Sequence, residues 1–348
     1  MSSVALIAAT RALTACGDPS EDRIKFFNWQ DYIDPNLLDD FERSSGLTVS
    51  YSTYASNDEL GDRLALAGVP RRGNRRATGF DLIVPSDSLF RRLRDQDRLQ
   101  VLDTDIVTEE LLGNLDAAYR SLEVDPGNRF SIPWATGTTG IGYDTKVFPE
   151  PPSWDVFLDA THAGKLALLD EKREAFAAAQ FSLGIDPNTT DAAEIEAAAA
   201  QLGTMLANAQ LDSATYLDRL ASGDVVAAQA FSTDVLQAQV ANPDLAFVIP
   251  EAGGSRWIDL LCIPTDASNA EGANRFIAFY LDGKVAAQNA VAIQADAGNT
   301  AALPFLPSEL AENPTITPPP DVVERLVYLR DLGDDEEQYN AAWEDLRG

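Results

Sequence analysis

The sequence predicts an α/β protein of two lobes, with mostly parallel sheet flanked by helices. Three observations carry this. Strand and helix signals alternate through the first hundred residues, the order that yields parallel sheets. A glycine-rich extended stretch then leads into a second alternating run. Finally, the chain has 348 residues, more than one typical domain holds, and 45% of them are hydrophobic, enough to bury a sizeable core.

In chain order, residues 1–22 read as processing signal and tether rather than fold. Val4 to Ala9 is apolar, and Leu13-Thr14-Ala15-Cys16-Gly17 resembles a lipobox, in which the cysteine carries a lipid and becomes the mature N-terminus. A basic start is missing and Arg11 interrupts the apolar run, both departures from a usual signal peptide. No apolar run reaches the roughly 18 residues of a membrane span.

Arg23 to Asn28 reads as a first strand. Asp34 caps a helix with Pro35 at its first position, Leu37, Leu38 and Phe41 on the apolar stripe and Gly46 as its stop. Leu47 to Tyr51 alternates as a strand, and Ser56-Asn57-Asp58-Glu59 forms a capping box before a helix with Leu60 and Leu64 inward. Asp81 to Ser86 is a short buried strand before a helix through Leu89, Phe90 and Leu93. Trp29 and Ser86 stand at carboxyl ends of strands, where open α/β sheets hold ligands.

Ser131 to Tyr143 is apolar, extended and glycine-rich. Its spacing fits neither a dinucleotide fingerprint nor a Walker loop, so it reads as a crossing between lobes. Beyond it, Ser153-Trp154 opens a short helix and Lys165 to Asp170 is a strand. Glu171 to Glu174 starts a helix, with its two carboxylates three residues apart on one face. Asp191 caps a long helix with Glu194 at its third position. Asp224 to Phe231, leading to Ser232-Thr233-Asp234, and Ala246 to Pro250 read as strands. Glu271 to Leu281 is a helix with Phe276 and Phe279 inward, Pro304 and Pro307 mark a linker, and Asp321–Leu332 and Glu336–Leu346 read as terminal helices with Trp343 packing.

Composition narrows the chemistry. A formal charge of −29 argues against a nucleic-acid partner and permits a cationic ligand, although it also fits a heavily hydrated acidic surface. The basic loop from Arg71 to Arg76 fits a solvated loop or a partner contact. His162 is the single histidine, in a stretch that reads as a turn, and no metal-binding cluster or CxxC pair is present, so no metal and no cofactor is expected. Cys262 lies in an apolar run where a thiol is usually inert; an enzyme using it is the rival class.

The most informative stretch is Ser255 to Pro264. Alternate residues of a strand share a face, so Trp257 and Asp259 point the same way. An indole face beside a carboxylate suits an organic cation, while taken alone the stretch also fits a strand with a core tryptophan and a solvated aspartate. Other residues join the pair: Trp29, Tyr32 and Ser86 from the first region, and Glu171, Glu174 and Phe231 from the second. A cleft between lobes is a preferred place for a small ligand; rings would flank a methylene chain and carboxylates take its ammonium ends.

At these residues the sequence resembles the spermidine/putrescine-binding proteins of ABC importers, within the extracellular solute-binding family. The likeness runs from Phe26 to Leu346. It rests on Phe27-Asn28-Trp29 with Tyr32, Tyr51 to Tyr54 with Ser56 to Glu59, Asp81 to Ser86, Ser131 to Trp134, Asn188 to Asp191 with Glu194 to Ala198, Gly253-Gly254, Trp257-Ile258-Asp259 and Ile263-Pro264. The resemblance implies a two-lobed type II periplasmic-binding fold closing like a hinged clamp on a polyamine, delivery to a membrane permease, and a monomer. A sensing role, or another cationic or amino-containing metabolite, is the alternative. It places the N-terminal lobe at 23–135 plus 259–303, the C-terminal lobe at 140–255 plus 308–348, and the crossings at 136–139, 256–258 and 304–307. Trp257 and Trp29 would stack on the ligand; Asp259, Glu171 and Glu174 would grip amines; Tyr32 and Ser86 would complete one wall.

This chain also departs from the family. Ser88 stands where a tyrosine is common, Phe231 where a tryptophan is, and Ala295 near a further tyrosine. Each lost cation–π contact costs about 0.5–2 kcal/mol. Asp87 and Asp234, close to two of these positions, are candidates to compensate.

Overall fold

In the computed structural model, residues 22–68, 79–120 and 122–347 are described. The lipobox with Cys16 and the Arg71–Arg76 loop lie outside them.

The opening strand signal forms β1 (Arg23–Trp29). In α1 (Pro35–Ser45) the Asp34 side chain accepts from the Asn36 amide, and Gly46 ends the helix at φ 75°, a left-handed turn that glycine adopts without penalty. β2 (Thr48–Tyr54) follows, then α2 (Asn57–Gly68), where Ser56 Oγ accepts from the Glu59 amide at 3.0 Å as the capping box predicts. β3 (Leu82–Ile83) is shorter than expected, and α3 (Asp87–Asp95) buries Leu89, Phe90 and Leu93. Two short helices, α4 (Glu109–Leu112) and α5 (Ala117–Arg120), precede the long strand β4 (Ser131–Asp144).

The second run comprises a 3-10 turn at Trp154–Leu158, β5 (Leu166–Leu168), α6 (Lys172–Leu183), α7 (Ala192–Leu206), β6 (Ala209–Leu211), α8 (Tyr216–Ser222), β7 (Ala227–Phe231), α9 (Ser232–Ala241) and β8 (Leu245–Val248). β9 (Gly254–Cys262) then returns, followed by α10 (Ala270–Tyr280), α11 (Gly283–Ile293), α12 (Ser308–Ala311), α13 (Pro320–Val323), β10 (Leu326–Tyr328) and α14 (Glu336–Arg347).

The strands run in the order β2-β1-β3-β9-β4-β7-β5-β6, with β10 beside β9 and β8 beside β4. Pairing is parallel within β2-β1-β3 and within β7-β5-β6. Between those sets lie the antiparallel β4 and β9, paired from Ser131 opposite Cys262 to Thr139 opposite Ser255, with the register shifting by one residue between Pro133 and Ala135. β4 spans both halves: its Ile132 and Trp134 pack with Phe26, Phe276 and Tyr280, whereas its Ile141 and Tyr143 pack with Trp154, Phe176 and Tyr339. A second apolar layer of the first half, around Phe27, Leu60 and Phe90, takes Leu260 and Cys262 of β9. The apolar half of the Ser255–Pro264 stretch is therefore an anchor, and the Cys262 thiol is fully buried, which pushes its pKa up and keeps it protonated.

One element differs in kind. The helix expected at Asp321–Leu332 is a single turn, α13, followed by the strand β10. Leu326, Val327 and Tyr328 pair in parallel with Gly254, Ser255 and Arg256, satisfying edge groups of β9 that a helix would leave open. Pro304, expected in a linker, sits inside a 3-10 turn at Thr300–Phe305, and Pro307 caps α12. His162 closes a 3-10 turn, its ring 4.9 Å from Phe148.

Candidate binding site

The site is built outward from β9. Ser255, Trp257 and Asp259 alternate along it and share one face. Asp259 is 5% exposed, and both its oxygens are taken by hydroxyls: Tyr32 Oη donates to Oδ2 at 2.9 Å and Ser86 Oγ donates to Oδ1 at 2.6 Å. Those donors come from distant parts of the chain, brought in by the sheet. Ser86 bridges Asp259 through the backbone, and the neighbouring Leu260 amide donates to the Pro85 carbonyl at 2.9 Å. Tyr32 is set by the turn after β1, whose carbonyl at Tyr32 accepts from Asn28 Nδ2 and Trp134 Nε1.

Trp257 occupies the middle of the face. Its ring lies over Gly137 of β4, where a Cβ would overlap it; the glycine read as part of an extended crossing is what admits the indole. Phe231 meets it edge-on, with ring centroids 6.0 Å apart. Trp29 Nε1 donates to the Val84 carbonyl at 2.8 Å, and its ring lies 4.8 Å from Tyr54.

On the other wall, Glu174 of α6 accepts from Thr139 Oγ1 at 3.1 Å and from Ser255 Oγ at 2.8 Å. Asp234 of α9 accepts from the Tyr216 hydroxyl and from Thr233 Oγ1. Glu171 corrects the reading of a shared helix face: it is the N-cap of α6, with extended backbone at φ −127°, so it stands off the helix while Glu174 lies within its first turn. β5 ends at Leu168, leaving only two residues before this cap.

These side chains surround one cavity of about 450 Å³. All eight residues of the expected set line it: Trp29, Tyr32, Ser86, Glu171, Glu174, Phe231, Trp257 and Asp259. Asp87, Ser88 and Asp234 line it as well. Ala295 does not; it is 2% exposed in the apolar core with Ile293 and Trp134. Sequence reasoning missed Tyr54, Tyr216, Gln237 and Arg256, which also line the cavity. Tyr54 was findable, since it ends β2 as Trp29 ends β1. Tyr216 carries no local signal, because its role depends on Asp234, which lies beyond the rest of α8 and all of β7.

The cavity is electrostatically unbalanced. Burial raises the Asp259 carboxyl to about 6, against the pull of its two hydroxyl donors. Burial, with the Asp259 charge beside it, raises Asp87 to about 7, and burial raises Glu174 to about 7. Asp234 is also raised by burial. Several lining cations are engaged away from these carboxyls. Lys172 and Arg173 bridge to Glu336 at 3.3 and 3.4 Å, and Arg256 lies over the Tyr328 ring at 4.6 Å. Hydroxyl donors hold the carboxylates in place but bring no positive charge, and the nearby Arg91 and Arg173 offset the Asp87 and Glu174 charges only in part, so a cation entering the cavity meets organised acceptors.

Comparison with known proteins agrees with this chemistry. A family model described as bacterial extracellular solute-binding protein matches residues 36–318. The spermidine/putrescine-binding periplasmic protein of Escherichia coli is 31% identical over 343 residues, covering 98% of this chain and 96% of that one. A solved structure of a putative spermidine/putrescine ABC transporter from Listeria monocytogenes is similar with a TM-score of 0.85 at 30% identity, over 94% of this chain and 99% of that chain. A lipoprotein of Treponema pallidum is similar with a TM-score of 0.81 at 26% identity, over 93% and 99% of the two chains. The chain belongs to the bacterial extracellular solute-binding protein family.

Proposed function

We propose that the chain is the extracytoplasmic substrate-binding component of an ABC importer, taking a polyamine of the putrescine or spermidine class between its lobes and delivering it to a membrane permease. The observation that carries this reading is the ring-and-carboxylate groove of β9 and its neighbours. Asp259 and Glu174 stand on either side of Trp257, Glu174 being held through Ser255. Ser255 and Asp259 are four residues apart, about 13 Å along a strand. A polyamine matches that plan: ammonium groups at the carboxylates, methylenes across the indole.

In this reading Trp29 and Trp257 stack on the chain of the ligand and Phe231 closes one side. Asp259, with Tyr32 and Ser86 as its supports, takes one amine; Glu174 and Glu171 take another; Asp87, Ser88 and Asp234 line the remaining space. The first lobe is 23–135 plus 259–303 and the second 140–255 plus 308–348, joined at 136–139, 256–258 and 304–307. The protein acts outside the cytoplasm, in the periplasm or at the cell surface, and Cys16 carries the lipid. Among the described residues no helix is long and apolar enough to cross a membrane. Incorporation of labelled palmitate into the native protein and its loss in Cys16→Ala tests the anchor.

Calorimetric titration with putrescine and spermidine tests the ligand class; binding by at least one is expected, and no heat from either at millimolar ligand overturns the polyamine reading. A second reading keeps the fold and exchanges the cargo for another cationic metabolite. Ser88 and the smaller Phe231 ring favour it, because they leave room that larger rings would fill. Mass spectrometry of ligand carried through purification separates the two.

A further inference from the structure

Helix α11 ends at Ile293 with Gln294 in the left-handed region at φ 54°. The last carbonyls of a helix have no partner inside it and must find one elsewhere. Three do so here. Ala290 accepts from the Gln294 and Ala295 amides, and Val291 accepts from Gln294 Nε2 at 2.6 Å. The Ile293 carbonyl accepts from Gln237 Nε2 at 3.1 Å. That donor belongs to the opposite lobe. Ile293 is buried with Trp134, Phe276 and Tyr280, whereas Gln237 rides on α9, whose Val235 is buried with Leu169 and Tyr216.

The bond lies at a seam where the lobes also meet as like charges. Asp234, one turn before Gln237, feels the charge of Asp31 from the turn after β1. A cation between the lobes relieves that repulsion; the amide-to-carbonyl bond then adds a directional contact that exists only while the lobes are together.

We propose that Gln237 is a closure latch, a positioning residue whose amide caps α11 from across the cleft and sets the lifetime of the closed state. It holds the lobes rather than the cargo.

The test compares wild type, Gln237→Ala and Gln237→Glu as full chains, by small-angle X-ray scattering with and without putrescine and by stopped-flow kinetics of putrescine release. Losing one partly buried hydrogen bond raises the release rate about five-fold in Gln237→Ala, with the association rate within about two-fold of wild type. Gln237→Glu sets a carboxylate against the negative end of α11 and speeds release further. In at least one ligand state both variants have a larger mean radius of gyration than wild type. If Gln237 instead contacted the cargo, the new carboxylate of Gln237→Glu would slow release of a cation. Slower release, or scattering unchanged in both states, overturns the latch. The latch rests on the two-lobed binding reading; were putrescine not to bind wild type, the polyamine assignment would fail on its own, while ligand-free scattering still decides the latch.

Discussion

The two walls of the cavity hold their carboxylates by the same device and differ in what surrounds it. On the first wall Asp259 is gripped by a phenol and a serine, and on the second Glu174 is gripped by a threonine and a serine. Asp259, however, has a second carboxyl, Asp87, close enough that its charge helps raise Asp87. Arg91 pulls Asp87 down and Arg173 pulls Glu174 down, whereas Asp259 is acted on by its burial and by the Ser86 and Tyr32 hydroxyls. Hydroxyls orient an acid; only a charge neutralises it. Asp259 is therefore more in need of a cation, and an entering amine gains more there than at Glu174.

Asp259→Asn is the strongest challenge to that difference. It should weaken polyamine binding by about 2 kcal/mol or more, roughly thirty-fold, because a desolvated ammonium loses its ionic partner. Calorimetry checks it, and unchanged affinity would remove Asp259 from the site.

Acidity tests both walls at once. Asp87 and Glu174 at about 7 and Asp259 at about 6 must all be ionised to take a cation, so affinity should hold above pH 8 and fall more than ten-fold by pH 5.5. Binding near pH 7 should release protons, visible as a heat that varies with the buffer's ionisation enthalpy. Linkage fixes the sign for the ligand-free protein. Raised carboxyl pKa values mean that the folded state binds more protons than the unfolded one, so this stability is present at low pH and lost as pH rises through 6 to 7. The melting temperature without ligand should rise from pH 8 to pH 5, and saturating ligand should flatten that rise.

Glu174→Gln is expected to cost about 1 kcal/mol of affinity, less than Asp259→Asn, since Arg173 already offsets part of the Glu174 charge. It should leave the ligand-free melting temperature equal or higher, because a buried ionisable group is replaced by a neutral one. A larger loss than at Asp259 would reverse the ranking of the walls. The smallest effect is expected from Phe231→Trp, which enlarges the ring beside Trp257 and should tighten binding by about 0.5 kcal/mol; weaker binding would mean that the smaller ring is required for fit.

Local signals in the sequence carried far where the physics is local. Asp34 with Pro35, the Ser56–Glu59 box and Gly46 define helix ends through groups a few residues apart, and the structure has those ends. The period-two pattern of Ser255 to Asp259 placed indole and carboxylate on one face before any partner was known. The resemblance to the polyamine-binding proteins supplied the rest of the expected set, and all of it lines one cavity. The 321–332 helix failed for a non-local reason. Residues 321–332 carry enough apolar spacing to resemble a helix, but three of them complete the edge of β9, and hydrogen bonds to a strand some seventy residues away outweigh weak helical propensity.

The sequence by itself determined the helix ends that carry local caps, and the alternation that puts Trp257 and Asp259 on one face of a strand. Only the tertiary structure decided that Asp259 rests on Tyr32 and Ser86, Glu174 on Thr139 and Ser255, and the end of α11 on Gln237. Those partners lie far apart along the chain, and the order of strands in the sheet, which no local pattern encodes, is what carries each hydroxyl or amide to its acceptor.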